Sequence, residues 1–285
     1  MSVRARKRFG QHSLESPWAD KVVRAIAPAP TDTFLEIGPG RGALTRPLAA
    51  ASARVVAIEI DRDLAADVSA STPPRVAVVT GDFLQMTAAE VRSALQQAGP
   101  PDARVRVAGN LPYNVASPIL FRLVDLHASG LPLVDATVML QREVADRLLA
   151  APGSRDYGVL TVLIRHRARV TRLLDLPPGA FRPVPRVRST VVRLTFHPPE
   201  PPVRDPAAFE AVVKAVFTKR RKTLANALAG HAHATGTTPA AVLAAARIDG
   251  SRRPETLSVE EFVRLADAHH SPADPDATTP RRAVL

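Results

Sequence analysis

Thr33-Phe34-Leu35-Glu36-Ile37-Gly38-Pro39-Gly40-Arg41-Gly42-Ala43-Leu44-Thr45 reads as a buried strand running into a glycine-dense turn and then into a helix. Glycine accepts positive φ and carries no side chain, so a turn this rich in it lets backbone amides come close to a ligand. Gly38, Gly40 and Ala43 also satisfy the dinucleotide fingerprint, and Glu59 falls about 20 residues later, where that motif places a ribose-binding acid. From this stretch alone a nicotinamide dehydrogenase stays open beside other enzymes that use a nucleoside cofactor.

Outward from the turn, from Thr31 to about Leu194, short β-branched runs alternate with Ala/Leu-rich segments of helical period. Strands are expected at Thr33–Ile37, Arg54–Ile60, Val76–Thr80, Arg104–Ala108, Ala136–Leu140, Leu160–His166 and Thr190–Phe196. Helices are expected at Gly42–Ala51, Asp63–Ser71, Ala88–Gln97, Ser117–His127 and Arg142–Ala150. The pattern is that of an α/β, Rossmann-like doubly wound domain over residues 1–196, with a seven-stranded, mostly parallel sheet. His197-Pro198-Pro199-Glu200-Pro201-Pro202 cannot continue a sheet, because proline has no amide donor, so residues 197–206 read as a linker. Residues 207–270 read as a small all-helical domain, with helices at Ala207–Ala229, Pro239–Ala246 and Ser258–Ala268. Ser258 and Glu261 stand at capping-box spacing. Residues 271–285 have little to bury and read as a disordered tail.

There are 38 Lys and Arg against 27 Asp and Glu, a formal charge of +11, which favours a polyanionic partner. The absence of cysteine excludes disulfides, thiolate metal sites and a cysteine nucleophile. No run of about 18 apolar residues is present, and the first residues are polar and basic without the apolar core of a signal peptide, so a cytoplasmic protein that needs no metal is expected.

Glu59 ends an apolar strand, so its carboxylate belongs at the carboxyl edge of the sheet, placed to accept from both ribose hydroxyls. Asp82 follows the next strand at the same edge. It either binds an adenine amine, with the Phe83 ring against the base, or caps the following helix. Ala108-Gly109-Asn110-Leu111-Pro112-Tyr113 follows the fourth strand, and a dehydrogenase has no evident use for it. An exocyclic adenine amine is a poor nucleophile because its lone pair is delocalised into the ring. Two fixed acceptors on its N–H bonds would draw it toward tetrahedral geometry: the Asn110 side-chain oxygen and a backbone carbonyl held by Leu111-Pro112. Tyr113 offers an aromatic face for a base turned out of its stack. The bland alternative is an ordinary turn with Tyr113 in the core.

With these residues in place, the chain resembles the KsgA family of small-subunit ribosomal RNA adenine dimethyltransferases. The resemblance runs through Lys7-Arg8-Phe9-Gly10-Gln11, Glu36 to Gly42, Asn110 to Tyr113, Gln141 to Leu148, Tyr157-Gly158 and Phe181 to Ser189. It continues through Phe217 to Asn226 and Arg253 to Ser258. It implies the fold of class I S-adenosylmethionine methyltransferases, with His12, Leu14, Gly38, Glu59, Asp82 and Asn110 holding S-adenosylmethionine. Gln11, Gly40, Ile60 and Phe83 lie beside them, and Tyr113 and Phe181 sandwich the target adenine. It also implies transfer of two methyls to each of two adjacent adenines near the 3′ end of the small-subunit RNA, within a 30S precursor, by a monomer. The family motif usually reads Gln-Asn-Phe-Leu where this chain has Gln11-His12-Ser13-Leu14, so the asparagine contact falls to His12 and a phenylalanine is lost.

Lys219-Arg220-Arg221-Lys222, within a helical pattern, and Arg165, Arg167 and Arg169, alternating on one expected strand, offer two basic surfaces for RNA phosphates. Three other readings stand beside the leading one. The Erm methyltransferases share the chemistry but act on the large subunit; an RNA-binding assembly factor could keep the fold without catalysis; the dehydrogenase is the most distant.

Overall fold

The computed structural model describes residues 12–98 and 104–269, which form two compact units. Gln11 and the expected tail at 271–285 lie outside the described residues.

The first unit holds the described residues up to Leu149 together with Arg167–Pro198. Its strands are β1 (Ser13–Leu14), β2 (Thr33–Ile37), β3 (Arg54–Glu59), β4 (Val76–Thr80), β5 (Val105–Asn110), β6 (Leu133–Gln141), β7 (Ala168–Leu176), β8 (Phe181–Arg182) and β9 (Ser189–Phe196). Seven form one sheet in the order β4-β3-β2-β5-β6-β9-β7, parallel from β4 to β6, with β9 antiparallel to both its neighbours. The order reverses at β2, so the crevice between the carboxyl ends of β2 and β5 is where an open α/β sheet binds ligands. All five residues of β2 are buried, as expected for a central parallel strand covered on both faces. Gly109 faces Ile37 across the β2–β5 pair, and a Cβ there would come within 2.7 Å of the Ile37 carbonyl oxygen. Only glycine lets the two strands approach so closely.

Helices α1 (Ser16–Ile26), α2 (Thr45–Ala51), α3 (Arg62–Ser71), α4 (Ala88–Ala98), α5 (Ala116–Ala128) and α6 (Arg142–Leu149) complete the unit. Helix α1 precedes the first element expected from the sequence. It buries Ala19, Val22, Val23 and Ile26, the spacing of a helix face. Its C-terminal carbonyls are held from the sheet: Arg106 donates to Ile26 O (2.8 Å) and Ala27 O (3.0 Å), and Arg193 donates to Ala25 O (2.9 Å). Asp135 pairs with Arg106 (3.0 Å) and lies 3.8 Å from Arg193, balancing this cationic clamp.

The strand expected at Leu160–His166 is instead helix α7 (Val159–Arg165), and the seventh strand is β7. Val, Leu and Ile favour either state. Here the Gly158 amide donates to Thr161 Oγ1 (3.2 Å) at the helix start, and Val162 joins the helical core of the second unit, so packing overrides propensity. Strand β7 has no clear signature in the sequence because it is a bulged edge strand with little burial. Residues Ala150–His166 accordingly pack in the second unit, although the sequence pattern assigns them to the first.

That second unit also contains α8 (Pro206–Phe217), α9 (Leu224–Ala234), α10 (Pro239–Ala246) and α11 (Val259–Ala268) around Phe209, Val212, Leu224, Leu228 and Phe262. The long helix expected at Ala207–Ala229 is broken, so Lys219–Lys222 lies in the turn between α8 and α9. The capping box before α11 is present: Glu261 N donates to Ser258 Oγ (3.2 Å) and Ser258 N donates to Glu261 Oε2 (2.9 Å).

Candidate active site

A cleft opens at the carboxyl edge of the sheet, lined by the turns after β2, β3, β4 and β5 and by His12 to Leu14. It gathers His12, Leu14, Gly38, Gly40, Glu59, Ile60, Asp82, Phe83, Asn110, Leu111, Pro112 and Tyr113, all expected site residues and all drawn from separate stretches of chain. Their convergence follows from parallel strands, each of which delivers its following turn to the same edge.

The glycine turn is bent by positive φ at Gly38 (68°), Gly40 (56°) and Gly42 (78°). A Cβ at Gly38 or Gly40 would meet nothing within 4 Å, so these positions face open space that a ligand can fill. Glu59 is buried and steadies the turn: Oε2 accepts from Gly40 N (3.0 Å) and Oε1 from Asp61 N (3.0 Å). Each oxygen keeps one further lone pair for a ribose hydroxyl. Asp82 divides the two roles considered for it. Its Oδ1 accepts from Leu84 N (3.0 Å) in the local turn, while the residue lines the cleft beside the buried Phe83 ring. Ile60, 45% exposed, offers an apolar face at the same edge.

Glu36 is a site residue to which the sequence pattern gives no role of its own. It is 2% exposed, lines the cleft, and its Oε2 has no hydrogen-bond partner among the described residues. Burial, reinforced by the Glu59 charge, pushes its carboxyl up to about 7. The neighbouring Thr45 hydroxyl opposes this, lowering the value by more than the Glu59 charge raises it. The signal is present in Thr33-Phe34-Leu35-Glu36-Ile37, where one acid interrupts an otherwise buried strand.

Asn110 ends β5, and its amide is fixed by a residue remote in sequence: Nδ2 donates to the His12 carbonyl oxygen at 2.8 Å. Oδ1 is thereby turned the other way and accepts no hydrogen bond among the described residues. The Pro112 carbonyl accepts from Val115 N (3.1 Å), whereas no backbone amide among the described residues donates to the Leu111 carbonyl. Tyr113 is half-buried and anchored through its hydroxyl to Ser189 Oγ (2.7 Å) at the start of β9. Burial raises the Tyr113 pKa against the lowering effect of that bond, so the hydroxyl stays protonated.

Phe181 is not brought to the cleft. It pairs with Leu14 across β1–β8, is 0% exposed, and packs in the cluster containing Ala19, Val22 and Val191. Where the resemblance places Phe181 across from Tyr113, the structure places it in the core, because the short β1–β8 ladder seats it among buried apolar side chains. The basic residues are also redistributed. Arg165 lies on α7 and donates to Ala150 O (3.0 Å), so it does not alternate with Arg167 and Arg169 on one strand. Arg220 donates to Arg155 O (2.9 Å) and lies 3.8 Å from Glu255, while Lys219, Arg221 and Lys222 are exposed.

Three carboxylates, Glu36, Glu59 and Asp82, line the cleft. They suit a nucleoside cofactor that carries positive charge and repel the pyrophosphate of a dinucleotide. An orphaned buried carboxylate oxygen and a glycine cradle open to the cleft fit S-adenosylmethionine, which carries an ammonium and a sulfonium.

A family model described as ribosomal RNA adenine dimethylase matches residues 2–267. The chain belongs to that family. Among its relatives is a ribosomal RNA small subunit methyltransferase A from Burkholderia sp, 44% identical over 277 residues and covering 95% of each chain. Another, from Bordetella avium, carries the same name and is 45% identical over 272 residues, covering 93% of this chain and 95% of that one. A dimethyladenosine transferase from Plasmodium falciparum superposes with a TM-score of 0.71 at 25% identity, covering 89% of this chain and 96% of that one. The 23S rRNA methyltransferase ErmE, at TM-score 0.60 and 24% identity, covers 90% of this chain and 98% of its own and shares the fold. Among the described residues no helix is long and apolar enough to cross a membrane, and no group of three or more His, Asp or Glu is placed to hold a metal.

Proposed function

We propose that the chain dimethylates the N6 amine of two adjacent adenines in small-subunit ribosomal RNA, acting as a monomer on a 30S precursor in the cytoplasm. The observation that carries this reading is a pair of acceptors at the rim of the acidic cleft, Asn110 Oδ1 and the Leu111 carbonyl, that take no hydrogen bond from the described residues. Membership of the dimethylase family and relatives named for the small subunit support the same substrate over the large-subunit alternative.

When bound, S-adenosylmethionine supplies an electrophilic methyl on a sulfonium. Gly38, Gly40, Glu36, Glu59 and Asp82 would hold it, with Ile60 and Phe83 against its base; all of them line the cleft. Tyr113 receives the extruded adenine on its ring. Asn110 Oδ1 and Leu111 O each accept one amine N–H, which turns the nitrogen lone pair out of the ring system and aims it into the cleft. After one methyl has been added a single N–H remains, so the second transfer relies on one acceptor and on the stacking surface. In each unit, solvent-accessible basic residues contact phosphate: the half-buried Arg167 and exposed Arg169 in the first, and the exposed Lys219, Arg221 and Lys222 in the second.

Incubation with labelled S-adenosylmethionine and either unmethylated 30S or 50S particles, followed by mapping of the modified base, tests the assignment. Dimethyladenine in the 30S RNA is the expected product; label in the 50S RNA, or in neither, refutes it. Replacing Arg221 and Lys222 by Ala should leave cofactor affinity unchanged and reduce the slope of RNA affinity against salt, on logarithmic axes, by about one for each phosphate no longer neutralised.

A further inference from the structure

His12 stands where the family usually has asparagine, and the structure gives its ring work that an asparagine cannot do. The ring stacks on Tyr113, with centroids 5.7 Å apart and planes inclined by 26°. That spacing lies within the direct ring-to-ring range of about 4.5–7 Å, so no base fits between the two. His12 Nδ1 lies 2.7 Å from the Pro183 carbonyl oxygen. A carbonyl only accepts, so Nδ1 carries the hydrogen, and the ring is held at both its edge and its face. The Asn110 amide is bonded to the His12 backbone and not to its side chain, which separates the two contributions of this residue.

We infer that the His12 ring is a positioning residue for the target adenine: it backs one face of Tyr113 and leaves the opposite face to receive the base. This rests on the proposed adenine methylation and explains how the site operates with Phe181 in the core. The stack then runs His12, Tyr113, adenine. Tyr113 is fixed by Ser189 at its hydroxyl and by His12 on its face, so the base meets a surface already held in place.

Two variants separate the ring from its hydrogen bond. His12→Asn keeps the backbone contact to Asn110 and a side-chain donor but has no ring; His12→Phe keeps a ring and has no donor. In His12→Asn, turnover on 30S particles at saturating cofactor should fall about three- to tenfold, the loss expected for one aromatic contact. His12→Phe should recover most of that loss. A second readout needs neither cofactor nor RNA. The chain has only two tyrosines, so the ring signals of Tyr113 are readily followed by NMR. Ring flipping of Tyr113 should accelerate in His12→Asn and stay slow in His12→Phe. Unchanged flipping in His12→Asn, or a turnover loss as large in His12→Phe as in His12→Asn, overturns the inference. If the wild-type protein methylates neither particle while the flipping rates behave as stated, the stacking stands and the proposed function fails.

Discussion

Two turns meet at the cleft, and they are held in place by different means. The turn after β2 carries its instructions locally: three glycines with positive φ bend it, and the acid steadying Gly40 is Glu59 at the end of the adjacent strand. The turn after β5 is held by partners far away in the chain. Asn110 is oriented by His12, 98 residues before it, and Tyr113 by Ser189, 76 residues after it. The cofactor turn is therefore recognisable in a short stretch of residues, whereas the turn that meets the amine works only once the unit has folded around it.

Four substitutions sharpen this contrast. Asn110→Ala removes the side-chain acceptor for the amine, so methyl incorporation should fall by about two to three orders of magnitude, with the melting temperature little changed. Retention of more than about a tenth of the activity would remove Asn110 from the mechanism.

Glu36→Gln addresses the floor beneath the glycine turn. The folded-state value near 7 lies above the ordinary 4.5, so the folded protein favours protonated Glu36. Stability from this group is fully present below about pH 4.5 and is lost as pH rises through about 7. The glutamine variant should match the wild type in acid and exceed it by up to about 3 kcal/mol at about pH 8, as read by denaturant unfolding at both pH values. Cofactor affinity should rise with pH through neutrality in the wild type, as the carboxylate forms, and be flat in the variant; parallel profiles would show that Glu36 does not face the cofactor.

Gly40→Ala has room for its methyl but not the backbone conformation, so it should cost about 1–2 kcal/mol of stability. Its larger consequence should be weaker cofactor binding in calorimetry, because the added methyl projects into ligand space. Tyr113→Phe keeps the stacking ring and loses the bond to Ser189, an effect of about 1 kcal/mol that should appear as a several-fold lower turnover with cofactor affinity intact. A Tyr113→Phe enzyme indistinguishable from wild type would mean that remote anchoring of the second turn is dispensable.

Much of the fold is legible in the sequence because burial writes a period into the chain. Strands β2 to β6 and helices α2 to α6 fall close to their expected places, and the Ser258–Glu261 capping box marks the start of α11. The failures share one cause. Val159–Arg165 has a composition that suits a strand or a helix equally, and contacts within the second unit decide for the helix. Phe181 reads as a site aromatic in its motif, yet the β1–β8 ladder directs its ring into the core. Arg220 belongs to a basic run, but two of its contacts lie with Arg155 and Glu255, remote in sequence.

By itself the sequence determined the α/β class, the glycine turn, the acids at the sheet edge and the Asn-Leu-Pro-Tyr motif, since each is a matter of residue type at local spacing. Tertiary structure alone decided which Asn110 atom is tied to His12, that among the described residues the Leu111 carbonyl takes no backbone hydrogen bond whereas that of Pro112 does, that one buried Glu36 oxygen has no partner among them, and that His12 is the ring against Tyr113. The physical reason is that hydrogen-bond direction and desolvation depend on neighbours brought together from distant parts of the chain, and no local pattern encodes where those neighbours will stand.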